Sequence, residues 1–223
     1  MLIENRFLKY LSFLISAIFV SYVIYLIFSS FFIVKNQFID IGDATYVNQV
    51  RTDDYTIKLA NYLTKDCDSN KVCEVQSMLD FVTAIPYKIN ESIARSAKQV
   101  VTQNFGDCDD KSNLLISMLK VKGYEAYFVL VPKHIFVIVN LEQKLQNSKA
   151  LYVNDKRFYI LESTATASKI AFPLRYSFNE IEAIVDPFNN KKLLINSLEY
   201  RWNYLTLNII NNIINNIKGV YYV

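Results

Sequence analysis

Histidine is nearly missing from this chain of 223 residues: there is one, His134. If a side-chain base of the imidazole type is needed anywhere, it has a single candidate. One histidine and three cysteines also make a weak set of metal ligands. Basic tracts are missing too. The 24 Lys and Arg stand against 21 Asp and Glu, scattered along the chain for a net charge of +3, which excludes the electrostatic footprint of a nucleic-acid partner. The cysteines are odd in number, so they cannot all pair. Glycine occurs four times, apolar residues make up 52%, and no internal repeat is visible. Such a chain can bury one good core, and a single domain is expected once any membrane segment is set aside. Nothing in the sequence calls for a cofactor.

Charge is absent altogether from Tyr10 to Val34, YLSFLISAIFVSYVIYLIFSSFFIV. As a helix, at about 1.5 Å per residue, this run outreaches a hydrocarbon core of about 30 Å. It is longer than a signal-peptide core and no A-x-A-like site follows it, so an uncleaved anchor is expected. Arg6 and Lys9 precede the run with Glu4, and Lys35, Asp40 and Asp43 follow. That slight positive bias favours an inside N-terminus and an extracytoplasmic main domain. The expected division is an anchor over residues 1–35 and a domain over 36–223.

Beyond the anchor, Ala44–Lys65 reads as a polar-faced helix with Val47, Val50, Tyr55, Leu59 and Leu63 on its apolar side. Cys67 and Cys73 flank an Asp-Ser-Asn loop, which suits a small disulfide if the domain faces an oxidising compartment. Glu74–Ile85 predicts a second helix stopped by Pro86. Ser92–Gln103 predicts a short helix or loop. Later, Tyr124–Val131 and His134–Leu141 are joined by Pro132-Lys133, a hairpin signal, and Leu151–Val153 and Phe158–Ser163 flank a second one at Asn154–Arg157. The stretch from Ser163 through Pro187 reads as irregular, and Arg201–Lys218 as a closing helix with Ile210, Ile213, Ile214 and Ile217 on one face. Helices first and antiparallel hairpins second argue an α+β fold.

The stretch that organises the rest is Asn104–Lys120, NFGDCDDKSNLLISMLK. Gly106 and the carboxylates end one segment, and Leu114, Leu115, Met118 and Leu119 then recur at helical spacing. Cys108 therefore sits at the first turn of a buried helix, where free N–H groups and the helix dipole favour a thiolate. Asp107, Asp109 and Asp110 oppose that charge, and the sequence leaves the net sign open. A thiolate attacks carbonyls; the competing reading is a small apolar core cysteine. His134, opening a strand, is either the base that takes the thiol proton or a surface turn residue. Glu162, ending RFYILEST, meets the need for a group that orients the imidazole, with Asp186 as its rival. The backbone N–H of Cys108 would face an oxyanion, and Gln103 or Asn104 could supply a second donor.

Taken together, GDCDDKSNLLISMLKVKGYEAYFV, His134 at the head of HIFVIV, and YILEST resemble the transglutaminase-like superfamily of papain-like cysteine enzymes. The resemblance covers roughly Glu74 to Ala171 and is most specific over Gly106–Gly123. It implies a papain-like core in which a cysteine-bearing helix packs on an antiparallel sheet. It also implies Cys108 as nucleophile, His134 as base, Glu162 as orienting carboxylate, and Asp110 at the family's acidic position, shaping the helix start. The family pattern has Asp where this chain has Glu162, and an aromatic soon after the His, where Ile135 comes before Phe136. Acyl transfer from a peptide or protein amide to water or an amine is the implied activity. A catalytically idle domain that binds an envelope partner through the same groove is the alternative.

Overall fold

The computed structural model describes residues 6–40, 45–89 and 95–203. They fall into two compact units, residues 1–47 and 48–223.

In the first unit, helix α1 (Arg6–Gln37) carries the uncharged run. Over Arg6–Ile33 it is long and apolar enough to cross a membrane, and none of its most apolar window is buried by protein. Among the described residues nothing buries that window, unlike the core helix of a soluble protein. Strand β1 (Phe38–Asp40) follows and pairs antiparallel with β2 (Thr45–Val47).

The second unit is α+β. Its first helix, α2, spans Asp54–Leu63, so the helix expected from Ala44 begins ten residues late. The reason is nonlocal. The N–H of Gln49 donates to Asn113 Oδ1 at 3.1 Å and that of Arg51 to Ser117 Oγ at 3.1 Å, holding residues 49–51 extended against a later helix. Asp53 then caps α2, its carboxylate accepting from the Thr56 N–H at 2.8 Å. Helix α3 (Lys71–Ala84) starts where Asn70 accepts from Val72 and Cys73 N–H groups, and ends one residue before extended Ile85 and Pro86. Cys67 and Cys73 form the expected disulfide across the loop between α2 and α3. The bond takes both sulfurs out of play as metal ligands. Helix α4 (Ala97–Gln103) is short, and α5 (Cys108–Val121) is buried over most of its length.

After Gly123, whose φ of +77° ends the helix as only glycine does readily, the chain turns to sheet. The first predicted hairpin is β3 (Ala126–Val131) and β4 (His134–Val139), with Lys133 at positive φ in the turn. The second is β5 (Lys149–Val153) and β6 (Lys156–Leu161), turned by Asn154 and Asp155, both at positive φ as a twisted two-residue hairpin requires. The stretch expected to be irregular to Pro187 in fact holds a 3-10 turn (Phe178–Glu180) and strand β7 (Ala183–Asp186), which pairs with β3. Strands β8 (Lys191–Lys192) and β9 (Leu198–Trp202) complete an antiparallel sheet of order β8-β7-β3-β4-β6-β5-β9. Arg201 and Trp202 are thus strand, and Asn203 is not helical either; residues 204–218 of the expected closing helix lie outside the described residues.

Both faces of the central strands are buried. Alternation along the strands sends Val129, Phe136, Ile138 and Ile160 to one face, which Phe172, Leu174 and Tyr176 cover. Phe128, Ile135, Val137 and Leu161, also buried, take the other face, on the side of α5.

The disulfide closes a short loop, for which chain-entropy arguments give about 2 kcal/mol. Replacing Cys67 and Cys73 together by Ser should lower urea-unfolding stability by that amount, read by fluorescence of the single tryptophan, Trp202. Unreduced protein should show one free thiol, Cys108.

Candidate active site

The site begins with a close approach of two chain segments. The Gly106 N–H donates to Pro86 O at 3.1 Å, and the Lys88 N–H donates to Gly106 O at 3.1 Å. A Cβ on Gly106 would lie 3.0 Å from Asp110 Cβ and 3.2 Å from Lys111 Cγ. Any larger residue there would need these side chains to give way by a few tenths of an ångström.

That turn is fixed by Asp110, which is fully buried. Its carboxylate accepts from Arg95 three times: the backbone N–H at 2.7 Å, Nε at 3.1 Å and Nη2 at 2.6 Å. The guanidinium also donates to Phe105 O at 2.9 Å and to Gln103 Oε1, and stacks over the Phe105 ring. Residues 103, 105 and 110 are therefore tied to one cation, which the sequence analysis missed. The amide oxygen of Gln103 is engaged by Arg95, while exposed Asn104 ends α4 in the left-handed conformation. Lys111, almost without exposure, donates from Nζ to Ile85 O at 2.7 Å. Burial pushes its pKa down, against the opposing pull of Glu162.

Cys108 opens α5, half-buried, behind the N-cap Asp107, whose carboxylate accepts from the Asp110 N–H at 3.1 Å. One turn further on, Ser112 Oγ lies 3.0 Å from Ser163 Oγ and donates to Ile135 O at 3.4 Å. Ile135 follows His134 and Ser163 follows Glu162, so this contact sets the start of α5 beside both residues. His134 Nε2 and Glu162 Oε2 are 2.9 Å apart. The other oxygen of Glu162 accepts from the Thr164 N–H at 3.0 Å and hydroxyl at 2.6 Å. Burial drives the Glu162 carboxyl up; the bond and charge of His134 and the Thr164 bonds outweigh it and hold the group below the ordinary range. With Nε2–H donating to the carboxylate, the imidazole lone pair sits on Nδ1.

Tyr176, another residue missed from the sequence, stacks on both rings of β4: 6.1 Å from His134 and 6.1 Å from Phe136. Burial raises its hydroxyl pKa, and the charges of Glu162 and Glu180 contribute. Asp186 lies elsewhere. It ends β7, not an irregular segment, and caps its own turn through the Phe188 and Asn189 N–H groups. Val185 pairs with Phe128, which puts Asp186 level with Tyr127. His134 pairs with Val131, four residues and about 13 Å further along the sheet.

The thiol settles the sign that the sequence left open. Burial, then the charges of Asp109 and Asp107, push Cys108 up to about 12, and its Sγ donates to Asp109 Oδ1 at 3.6 Å. Burial and Asp107 likewise raise the carboxyl of Asp109, with Cys108 and His134 opposing. At neutral pH the resting group is a thiol.

The geometry defines an α+β protein in which the first turn of a buried helix meets the ends of two strands carrying a hydrogen-bonded His–Glu pair. No protein-family model matches the chain, and a search of curated proteins finds no match. Among solved structures it is similar to a candidate cysteine protease from Cytophaga hutchinsonii, at 14% identity and a TM-score of 0.39. That likeness covers 72% of this chain and 54% of the other, so the chain spans about half of that protein's length.

Two measurements probe this arrangement. Arg95→Met leaves a buried carboxylate without its cation and should cost roughly 3–5 kcal/mol in urea unfolding. Alkylation of Cys108 by iodoacetamide should rise about tenfold per pH unit between about pH 7 and pH 10. A plateau below pH 8 would reveal a preformed thiolate instead.

Proposed function

We propose that this chain is a membrane-anchored, transglutaminase-like cysteine amidase or protease whose domain lies outside the cytoplasm. The observation that carries the reading is the 2.9 Å bond between His134 and Glu162 beside the helix that Cys108 opens. An oriented imidazole with its lone pair on Nδ1 is what a thiol nucleophile requires of its base. The Cys67–Cys73 disulfide favours an oxidising compartment. The apolar helix α1 supplies an anchor of spanning length.

Because the thiol rests protonated, its proton leaves for His134 Nδ1 as sulfur attacks, not beforehand. The S–C bond forms at the amide carbonyl, and the electron pair moves onto oxygen, faced by the Cys108 N–H at the free end of the helix. Gln103 and Asn104, just upstream, are the candidates for a second donor. Glu162 stabilises the imidazolium without taking its proton. The C–N bond then breaks, the imidazolium proton passes to the leaving amine, and an acyl-thioester remains on Cys108. Water, deprotonated by His134, releases a carboxylic acid and restores the thiol. An amine in place of water would make the same enzyme a transglutaminase.

One observation favours a second reading, an idle domain that binds an envelope peptide through the same groove: burial and two carboxylates hold the thiol neutral. Single-turnover acylation of the full chain in detergent, read by intact mass, separates the two. Cys108→Ala and His134→Ala should abolish the adduct. Glu162→Gln should slow it at least about tenfold, by analogy with the loss when a serine triad loses its carboxylate, and Asp186→Asn should be nearly neutral. An adduct that forms equally without His134, or none with any peptide amide, supports the idle domain.

A further inference from the structure

Beside the His–Glu pair lies a cavity of about 250 Å³. It is smaller than the roughly 300–1,000 Å³ typical of whole-ligand pockets and suits one side chain. Its floor is Phe136 and Ile160 of the sheet; Phe172, Leu174 and Tyr176 form the opposite wall. That wall is pinned, since the Phe172 N–H donates to Ile160 O at 3.1 Å and the Leu174 N–H to the Tyr200 hydroxyl at 3.1 Å. His134, Glu162, Thr164 and Arg175 are its polar lining. Cys108 does not line the cavity.

This asymmetry decides which half of an amide the cavity serves. The acyl carbon must be bonded to Sγ of Cys108, while the departing nitrogen must lie against His134 to receive its proton. A cavity that includes His134 but excludes Cys108 is therefore on the amine side. Its surface is mixed: Phe136, Ile160, Phe172 and Leu174 offer apolar contact beside the polar groups of His134, Glu162, Thr164 and Arg175, and an apolar side chain set against the former gains in proportion to the apolar area removed from water. Arg175, exposed and stacked 4.8 Å over Phe172, makes no ion pair among the described residues. Its charge complements a carboxylate placed where the amine-side residue leaves the cavity.

Resting on the amidase reading, we propose that the cavity between Phe136 and Leu174 is the specificity pocket for the leaving amine. It takes an apolar amino acid of about leucine to phenylalanine size whose carboxylate is free to meet Arg175. The enzyme then removes an apolar C-terminal residue, or, run with an amine acceptor, prefers an apolar amino acid to glycine.

The test uses the full chain in detergent and peptides that share one acyl part and end in Gly, Leu, Phe or leucinamide. Acylation of Cys108 should be at least about tenfold faster with Leu or Phe leaving than with Gly, the discrimination one apolar pocket affords. Leu174→Ala and the cavity-filling Leu174→Trp should both shrink the Leu-to-Gly ratio, whereas a merely structural role would slow all substrates alike and leave the ratio intact. Arg175→Gln should erase a preference for leucine over leucinamide. Equal rates for Gly and Leu in the parent chain overturn the pocket even if neither variant folds, and leucinamide released as fast as leucine overturns the role of Arg175. No acyl-enzyme with any peptide overturns the amidase reading, and the pocket's role with it; acylation without preference overturns the pocket alone.

Discussion

The arrangement around Cys108 depends on one buried ion pair. Asp110 is out of reach of water, and an isolated carboxylate there would cost several kcal/mol in lost hydration. Arg95 offsets that cost with three hydrogen bonds to the carboxylate, and spends its remaining donors on Phe105 O and Gln103 Oε1. Because one planar guanidinium serves all of them, the residues it touches share a single geometry. The approach of Gly106 to Pro86, the cap at Asp107 and the half-buried position of Cys108 all follow from that fixed turn. A lysine at position 95 would bring the charge without the fork, and could not hold both ends of the turn.

Three consecutive-looking carboxylates at the start of α5 thus have three different tasks. Asp107 satisfies a free N–H of the helix, Asp110 receives Arg95, and Asp109 accepts from the thiol. All three also lie at the positive end of the helix dipole, which favours their charge. For Cys108, burial and then the charges of Asp109 and Asp107 act in the opposite sense and keep the thiol protonated. Stability of the helix start and ionisation of the thiol therefore pull against each other.

What the sequence made legible was local. The uncharged run, the cysteine loop, the Pro86 stop, both hairpins and the start of α5 at Cys108 each depend on neighbours within a few residues. What it hid was held together across distance. Residues 49–51 look helical by spacing, yet Asn113 and Ser117 claim their N–H groups from 64 and 66 residues away. Strand β7 has too short an apolar run to stand out, and is made a strand by pairing with β3. Arg95 sits in a polar stretch with no pattern; the one available signal was that buried Asp110 would need a cation. His134 and Glu162 could be named as partners because a hairpin brings consecutive strands together, but which face their side chains share needed the register.

That register explains why the site has its particular neighbours. His134 and Glu162 lie on the face shared by Phe136 and Ile160, not on the face that packs against α5. The helix reaches them only past the strand ends, where Ser112 touches Ile135 O and Ser163. The second face is apolar; among the described residues it is covered not by a helix but by the segment around residues 172–181. In covering Phe136 that segment necessarily lays Tyr176 over His134 as well. The His–Glu pair thereby lies part-buried at the seam between a helical layer and a loop layer. Excluding water from such a seam strengthens the bond between imidazole and carboxylate. The side chains that cover the sheet and those that flank the His–Glu pair are the same, so the sheet's need for a cover also sets the surroundings of that pair.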